Sequence, residues 1–229
     1  MKLDSNRVFR HVVGVVVMTV ALASSAHAQY RAGSSVEITP FAGYYIASDI
    51  WTYQVSVPIE NSFMYGGRLT WNPSLRGGIE FAYTRAESEV KSPRNGQFYG
   101  TSKIGDLTFD SFDINFLGYQ PTGNSAVTPF ASFGFGWSTV HRDIGIDSEI
   151  NNVVNGSSTL FNFNFALGTK VYVSDRAGLR LEGRWRTTDT NINTNDYYWC
   201  DIYGYCYSYG TSWYSSWELV GGLTYRLGQ

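Results

Sequence analysis

Three groups of residues have types and spacings that could do chemistry. His141 lies in a Val140-His141-Arg142-Asp143 run with Ser138 three residues earlier, and a hydroxyl near an imidazole is the minimum for general-base or nucleophilic catalysis. Serine is common in this chain, however, and a lone histidine in a polar stretch is ordinarily a solvated residue. Cys200 and Cys206 are the only cysteines. They could ligate a metal or bridge to each other, and no histidine lies nearby to complete a metal site. The third group consists of charges on alternate positions, among them Arg68, Glu80, Lys170 and Glu182. No phosphate-binding glycine loop, metal cluster or acid pair at useful spacing stands out, so no cofactor is expected.

The elements that must position these residues show most clearly between Leu160 and Arg186. Phe161, Phe163, Phe165, Leu167, Val171 and Val173 alternate with Asn162, Asn164, Gly168 and Lys170. Beyond Ser174-Asp175-Arg176-Ala177, Leu179, Leu181, Gly183 and Trp185 alternate with Arg180, Glu182, Arg184 and Arg186. Successive side chains of a strand point to opposite faces, so this is a hairpin with one apolar and one charged face. Its strands run ten residues or more, about twice the usual length of roughly 5–6.

The same alternation recurs along the chain. Val36 to Ala47 is the first strand, with Glu37 on the inward parity. Phe63 to Trp71 and Leu75 to Thr84 form a hairpin around Asn72-Pro73-Ser74, with Arg68, Arg76 and Glu80 inward. Leu107 to Tyr119 carries Asp113 inward, and the opposite parity of Leu107 and Phe109 suggests a bulge near Asp110-Ser111. Pro121 to Asn124 turns the chain into a fifth strand marked by Ala131, Phe133, Phe135 and Trp137. The last strand carries Trp213, Trp217, Leu219, Leu223, Tyr225 and Leu227 outward and Glu218 inward. Four long connections (48–61, 86–105, 139–158 and 188–211) alternate with three short ones.

Residues 1–28 have the form of a secretory signal peptide. Lys2, Arg7 and Arg10 precede an apolar run from Val12 to Ala23, and Ala26-His27-Ala28 is a small-x-small site with cleavage expected between Ala28 and Gln29. The segment is too short to span a membrane as a helix. Removing these three bases and Asp4 from 17 Lys+Arg and 19 Asp+Glu leaves 14 against 18, which gives no reason to expect nucleic-acid binding. His11 and His27 leave with the leader, so His141 is the one histidine of residues 29–229.

Long alternating strands with tight turns at one end and long loops at the other imply an all-β fold. It is a transmembrane antiparallel up-and-down β-barrel spanning 29–229, most simply of eight strands. In lipid every backbone polar group must be satisfied internally, so the sheet must close. Ten strands, with hairpins in the long loops joining the wall, is the alternative. A cylinder of eight strands is just wide enough for side chains to fill. The inward charges Glu37, Arg68, Arg76, Glu80, Asp113, Lys170, Arg180, Glu182, Arg184 and Glu218 are therefore expected to pair as a plug rather than line a channel. With turns centred on Ser74 and Arg176, Arg68 faces Glu80 and Lys170 faces Glu182.

The segments EITPFAGYY, GGRLTWNPSLRGGIEFAYTR, VTPFASFGFG, LGTKVYVSDRAGLRLEGRWR and GGLTYRL resemble small outer-membrane barrels of the OmpA/OmpW type. The resemblance implies location in a Gram-negative outer membrane, amid lipid and lipopolysaccharide, after insertion by the barrel-assembly machinery. Gly222, Tyr225 and Leu227 resemble the carboxy-terminal sorting signal, although Leu227 is followed by Gly228-Gln229 where that signal ends on an aromatic residue. Some barrels of this kind modify lipid A with a His and a Ser or acid, which brings Ser138 and His141 back into view as the least favoured reading. The OmpW likeness implies another alternative, a narrow passage for small hydrophobic compounds with a side exit near the suspected bulge. A structural or surface-interaction role without catalysis is the principal expectation.

An exported protein meets an oxidising compartment, so Cys200 and Cys206 are expected to bridge across a small hairpin centred near Tyr203-Gly204. Ten aromatic residues fall between Tyr197 and Trp217, with Tyr203, Tyr205, Tyr207 and Tyr209 on alternate positions. Tyrosine and tryptophan supply rigid contact surface in binding loops and also collect at membrane boundaries. Contact with an extracellular ligand and packing of the loops on themselves both fit.

Overall fold

Alternation of apolar and polar side chains suits a sheet with one greasy and one polar face, and the strands of the computed structural model follow it. The structure describes residues 34–48, 50–52, 55–57, 59–91, 103–120, 126–144, 156–189, 198–200, 206–208 and 213–227. Among them are β1 (Ser35–Ala47), β2 (Ile50–Thr52), β3 (Val55–Val57), β4 (Ser62–Asn72), β5 (Gly77–Lys91) and β6 (Lys103–Tyr119). They are followed by β7 (Val127–Ile144), β8 (Gly156–Tyr172), β9 (Ala177–Asp189), β10 (Tyr198–Cys200), β11 (Cys206–Ser208) and β12 (Trp213–Leu227). The expected leader and its cleavage site at Ala28-Gln29, the turn at 121–124 and the loop residues Tyr203, Tyr205 and Tyr209 lie outside the described residues.

Eight strands close into a barrel in the order β1-β12-β9-β8-β7-β6-β5-β4, with β1 paired back onto β4. Every pairing is antiparallel, so no backbone edge is left along the wall. The first and fourth long connections do contain hairpins, β2–β3 and β10–β11, but among the described residues each pairs only with itself. Barrel strands already have two neighbours each, so a three-residue hairpin finds no edge to extend. The wall stays at eight strands, not ten.

Outward positions are apolar and bare. Phe63, Phe112, Phe133, Trp137, Trp217 and Leu223 each keep more than half their surface exposed. Burying large apolar groups is ordinarily favourable, so an aromatic band of this extent is explained by hydrocarbon around it. Inward positions are buried and mostly polar.

The suspected bulge in the fourth barrel strand is not there. The β5–β6 register runs unbroken from Gly77↔Gly118 to Val90↔Gly105, and β6–β7 runs from Gly105↔Ile144 to Tyr119↔Phe130. Leu107 and Phe109 share the inward parity of Ser111 and Asp113. They are apolar because the long-loop end of the lumen is apolar: Leu107 packs in a cluster with Tyr45, Ile59, Met64, Val90 and Tyr214, and Phe109 rests against it. What changes along the strand is the lining, not the face.

The wall also reaches further than alternation alone indicated. β5 continues to Lys91 and β6 begins at Lys103, while β7 continues to Ile144 and β8 begins at Gly156. These extensions beyond the apolar band carry charges on their outer face, among them Arg85, Glu87, Glu89 and Asp106, while Ala86, Ser88 and Val90 face inward. Lys103, at this end, is bonded to Asp106 at 2.7 Å and to Glu89 at 3.0 Å. Those hydrogen bonds, Asp106's first, raise its ammonium above the ordinary lysine range.

Candidate functional site: the charged lumen and the long-loop end

Inward charges gather in three storeys, because each strand contributes every second residue and neighbouring strands are in register. Nearest the short turns, Glu37 of β1 receives Lys170 Nζ at 2.6 Å and the Tyr172 hydroxyl at 2.7 Å from β8. Arg226 of β12 reaches the same carboxylate at 3.3 Å. Lys170 also donates to the Tyr119 hydroxyl at 2.9 Å, which in turn donates to Asn72 Oδ1 at 2.6 Å.

The middle storey is centred on two glutamates. Glu182 of β9 accepts from Arg68 Nη1, from Arg180 Nη2 at 2.6 Å and from Arg184 Nε at 2.9 Å. Glu80 accepts from Arg180 Nη1, from Thr70 at 2.9 Å and from Asn115 at 3.1 Å. Above it, Arg186 clamps Asp113 with two bonds of 2.9 Å and donates to Glu218 at 2.7 Å. Asn162 and Ser138 continue this layer across β8 and β7.

The cations are also held by rings. Arg68 stacks over Phe41 and Arg180 over Phe130, each 4.5 Å from the ring centroid, and Arg226 lies 4.6 Å over Tyr172. Two of these rings lie across a glycine of a neighbouring strand. A Cβ at Gly66 would stand 2.6 Å from Phe41 Cζ, and one at Gly168 would stand 2.6 Å from Phe130 Cζ. Missing side chains on the wall make the room in which the ring-and-cation stacks sit.

Among the described residues the buried lumen holds five acids (Glu37, Glu80, Asp113, Glu182, Glu218) and six bases (Arg68, Lys170, Arg180, Arg184, Arg186, Arg226). The surplus base, Arg226, is at the short-turn rim, where it also donates to the Asp175 carbonyl at 3.2 Å. The interior is thus close to neutral, as a low-dielectric space requires. Between the third storey and the apolar end, a cavity of about 10 Å³ is lined by Tyr45, Ser111, Arg186, Thr188 and Glu218 among others. That is room for about one water. Glu218 Oε2, without a hydrogen-bond partner among the described residues, belongs to a residue lining it.

Two expected pairings differ from the observed ones. The β4–β5 ladder pairs Thr70 with Glu80 and Arg68 with Ala82, so Arg68 Nε is 4.0 Å from Glu80 and binds Glu182 instead. The β8–β9 ladder pairs Lys170 with Arg180 and Gly168 with Glu182, so Lys170 turns to Glu37 across the lumen. Each turn is centred one residue earlier or later than assumed, on Leu75 and Asp175, which moves the partner by two. Arg76 is not a lumen charge. It sits exposed in the Pro73–Arg76 bend, its carbonyl accepting from Tyr119 N at 2.9 Å. Arg186, on the charged face of its hairpin by parity, and Arg226 are both absent from the expected set of paired lumen charges. Arg226 shares the inward parity of Glu218, which is the signal that could have found it.

Ser138 and His141 are not brought together. Ser138 is buried in the lumen, sharing a 2.7 Å hydrogen bond with Ser111. His141 is exposed on the outer face of β7, its Nε2 3.8 Å from Asp110 Oδ2. Three residues apart on a strand means opposite faces. No group of three or more His, Cys, Asp or Glu among the described residues is placed to hold a metal ion.

A family model described as outer membrane protein beta-barrel domain matches residues 12–209. The chain belongs to that family. This barrel is accordingly an outer-membrane protein of all-β fold, embedded in outer-membrane lipid. No curated protein matches the chain in sequence. Among solved structures it is similar to outer membrane protein OprG from Pseudomonas aeruginosa, with 13% identity, 90% of this chain and 100% of that one covered, and a TM-score of 0.57. Neisserial surface protein A is similar at 14% identity, covering 85% of this chain and 99% of that one, with a TM-score of 0.53. At such identities the likeness speaks for the fold of this family member alone. Of the residues resembling the sorting signal, Tyr225 and Leu227 face outward on β12, and Gly222 pairs with Phe41 of β1 at the closing seam.

Proposed function

We propose that this protein is a non-enzymatic outer-membrane barrel whose lumen is a sealed ion-paired plug and whose contacts with the surroundings are made at the long-loop end. The observation that carries this reading is the filled interior: three storeys of buried charges occupy the lumen among the described residues, and the cavity beside them lined by Tyr45, Arg186 and Glu218 holds about 10 Å³. In planar bilayers the expected result is no steady conductance of the size of a general porin. Such a conductance would overturn the plug. A contact role for the loops, including Tyr203, Tyr205, Tyr207 and Tyr209, draws on their composition. Deleting 197–209 is expected to reduce attachment to an extracellular ligand or surface while the barrel still assembles.

Passage of small hydrophobic compounds is the second reading, favoured by the apolar lining around Leu107, Met64 and Tyr214. A side exit at β6 has no support from the continuous register there. Uptake of a small apolar dye into vesicles bearing the protein should match that of empty vesicles. Lipid A modification would need His141 beside a nucleophile, and Ser138 is on the other face of the strand. Lipid A mass spectra should be unchanged on overexpression. Export through a leader cleaved at Ala28-Gln29, followed by insertion by the barrel-assembly machinery through the Gly222, Tyr225 and Leu227 region, completes the proposal. N-terminal sequencing beginning at Gln29 tests the first step.

A further inference from the structure

We propose that Cys200 and Cys206 form a disulfide that clasps one face of the β10–β11 hairpin and so presents Trp199 and Tyr207 together on the other. The inference rests on the reading that the long-loop end is exported to an oxidising space, and does not depend on the loop having a partner. Register carries it. The backbone pairs Tyr198 with Ser208, Trp199 with Tyr207 and Cys200 with Cys206, so the two cysteines are directly opposite. Directly opposed residues of an antiparallel pair have Cα atoms about 4.5–5.5 Å apart, within the roughly 4.4–6.8 Å that a disulfide spans.

Because side chains alternate along a strand, Tyr198, Cys200, Cys206 and Ser208 share one face, and Trp199 and Tyr207 share the other as an opposed pair. The hairpin also needs a clasp. Each strand has three residues, and the pair joins no other strand among the described residues. An isolated two-stranded hairpin is marginal in water at best. In forming the bond the two thiols surrender two electrons and two protons to a disulfide-bearing oxidoreductase. One S–S bond joins Cys200 to Cys206, and the oxidant leaves as its dithiol.

The test uses the full-length exported protein. Arg186 and Arg226 bracket a stretch without Lys or Arg, so trypsin leaves both cysteines in one peptide. Its mass should be two hydrogens below the dithiol value, with no thiol open to alkylation until a reductant is added. Chymotrypsin can cut after Tyr203, between the cysteines, and the fragments should stay joined until reduced. Two alkylatable thiols in fresh protein, a reducible dimer, or thiols masked only by a chelatable metal would each overturn the bond. A Cys200→Ser, Cys206→Ser variant should keep the heat-modifiable gel mobility of the folded barrel, while cleavage within 198–208 speeds at least about tenfold. Unchanged cleavage would overturn the clasp. An intact bond in a protein that attaches to nothing would sink the contact role and leave this inference standing.

Discussion

Glu182 is the residue on which the plug can be tested most sharply. Its carboxylate accepts from Arg68, Arg180 and Arg184, and guanidinium groups cannot shed their charge when the partner goes. Two unit charges about 4 Å apart attract by about 4 kcal/mol at an effective dielectric of about 20. Leaving one buried charge uncompensated costs about 3–5 kcal/mol in measured cases. Arg180 keeps Glu80, and Arg184 keeps a 3.5 Å approach to Asp113, so Arg68 is the group stranded most completely. Glu182→Gln should therefore lower the unfolding free energy by about 3–5 kcal/mol. Adding Arg68→Met should recover roughly half of that, so the coupling in a double-mutant cycle, which is this recovery plus the cost of Arg68→Met alone, should be at least about 2 kcal/mol. The assay is urea unfolding in phospholipid vesicles followed by tryptophan fluorescence, with gel mobility as a second probe. The control is Glu87→Gln, which breaks the exposed Arg85–Glu87 pair and should change stability by about 0–1 kcal/mol. If Glu182→Gln behaves like that control, the lumen is wet and the reasoning fails.

Further outcomes follow from the same geometry. Gly168→Ala puts a Cβ 2.5 Å from the Leu181 carbonyl and 2.6 Å from Phe130, and should destabilise by about 1–3 kcal/mol, whereas Gly183→Ala meets nothing nearer than 4.0 Å and should be neutral in the same unfolding assay. Leu107→Ala should lose about 2–5 kcal/mol because the side chain is buried inside the barrel, and a loss under about 1 kcal/mol would favour the lipid-facing position that a bulge requires. Phe133→Arg, in the middle of the aromatic band, should cost about 2–4 kcal/mol and reduce the folded fraction in vesicles. Thr139→Arg, on the same face of β7 nearer the long-loop end, should cost about 0–1 kcal/mol by the same measure.

Period two along the chain determined the class of fold and the face of nearly every residue. A strand's side chains alternate whatever its partner, so Phe133 outward and Asp113, Lys170 and Glu218 inward needed no tertiary knowledge. Closure also followed from the chain, since an open sheet in hydrocarbon strands its backbone groups. The suspected bulge near Asp110-Ser111 shows the limit of that logic: an apolar Leu107 on the inward parity needs no change of face, because apolar neighbours inside the barrel serve it as well as lipid would. Pairing was another matter. Moving a turn centre by one residue moves each partner by two, which preserves the face and exchanges the contact, so Arg68 found Glu182 rather than Glu80. Contacts across the lumen, such as Lys170 with Glu37, join residues more than a hundred positions apart. They exist because closure folds β8 over against β1, a geometry that local alternation does not contain.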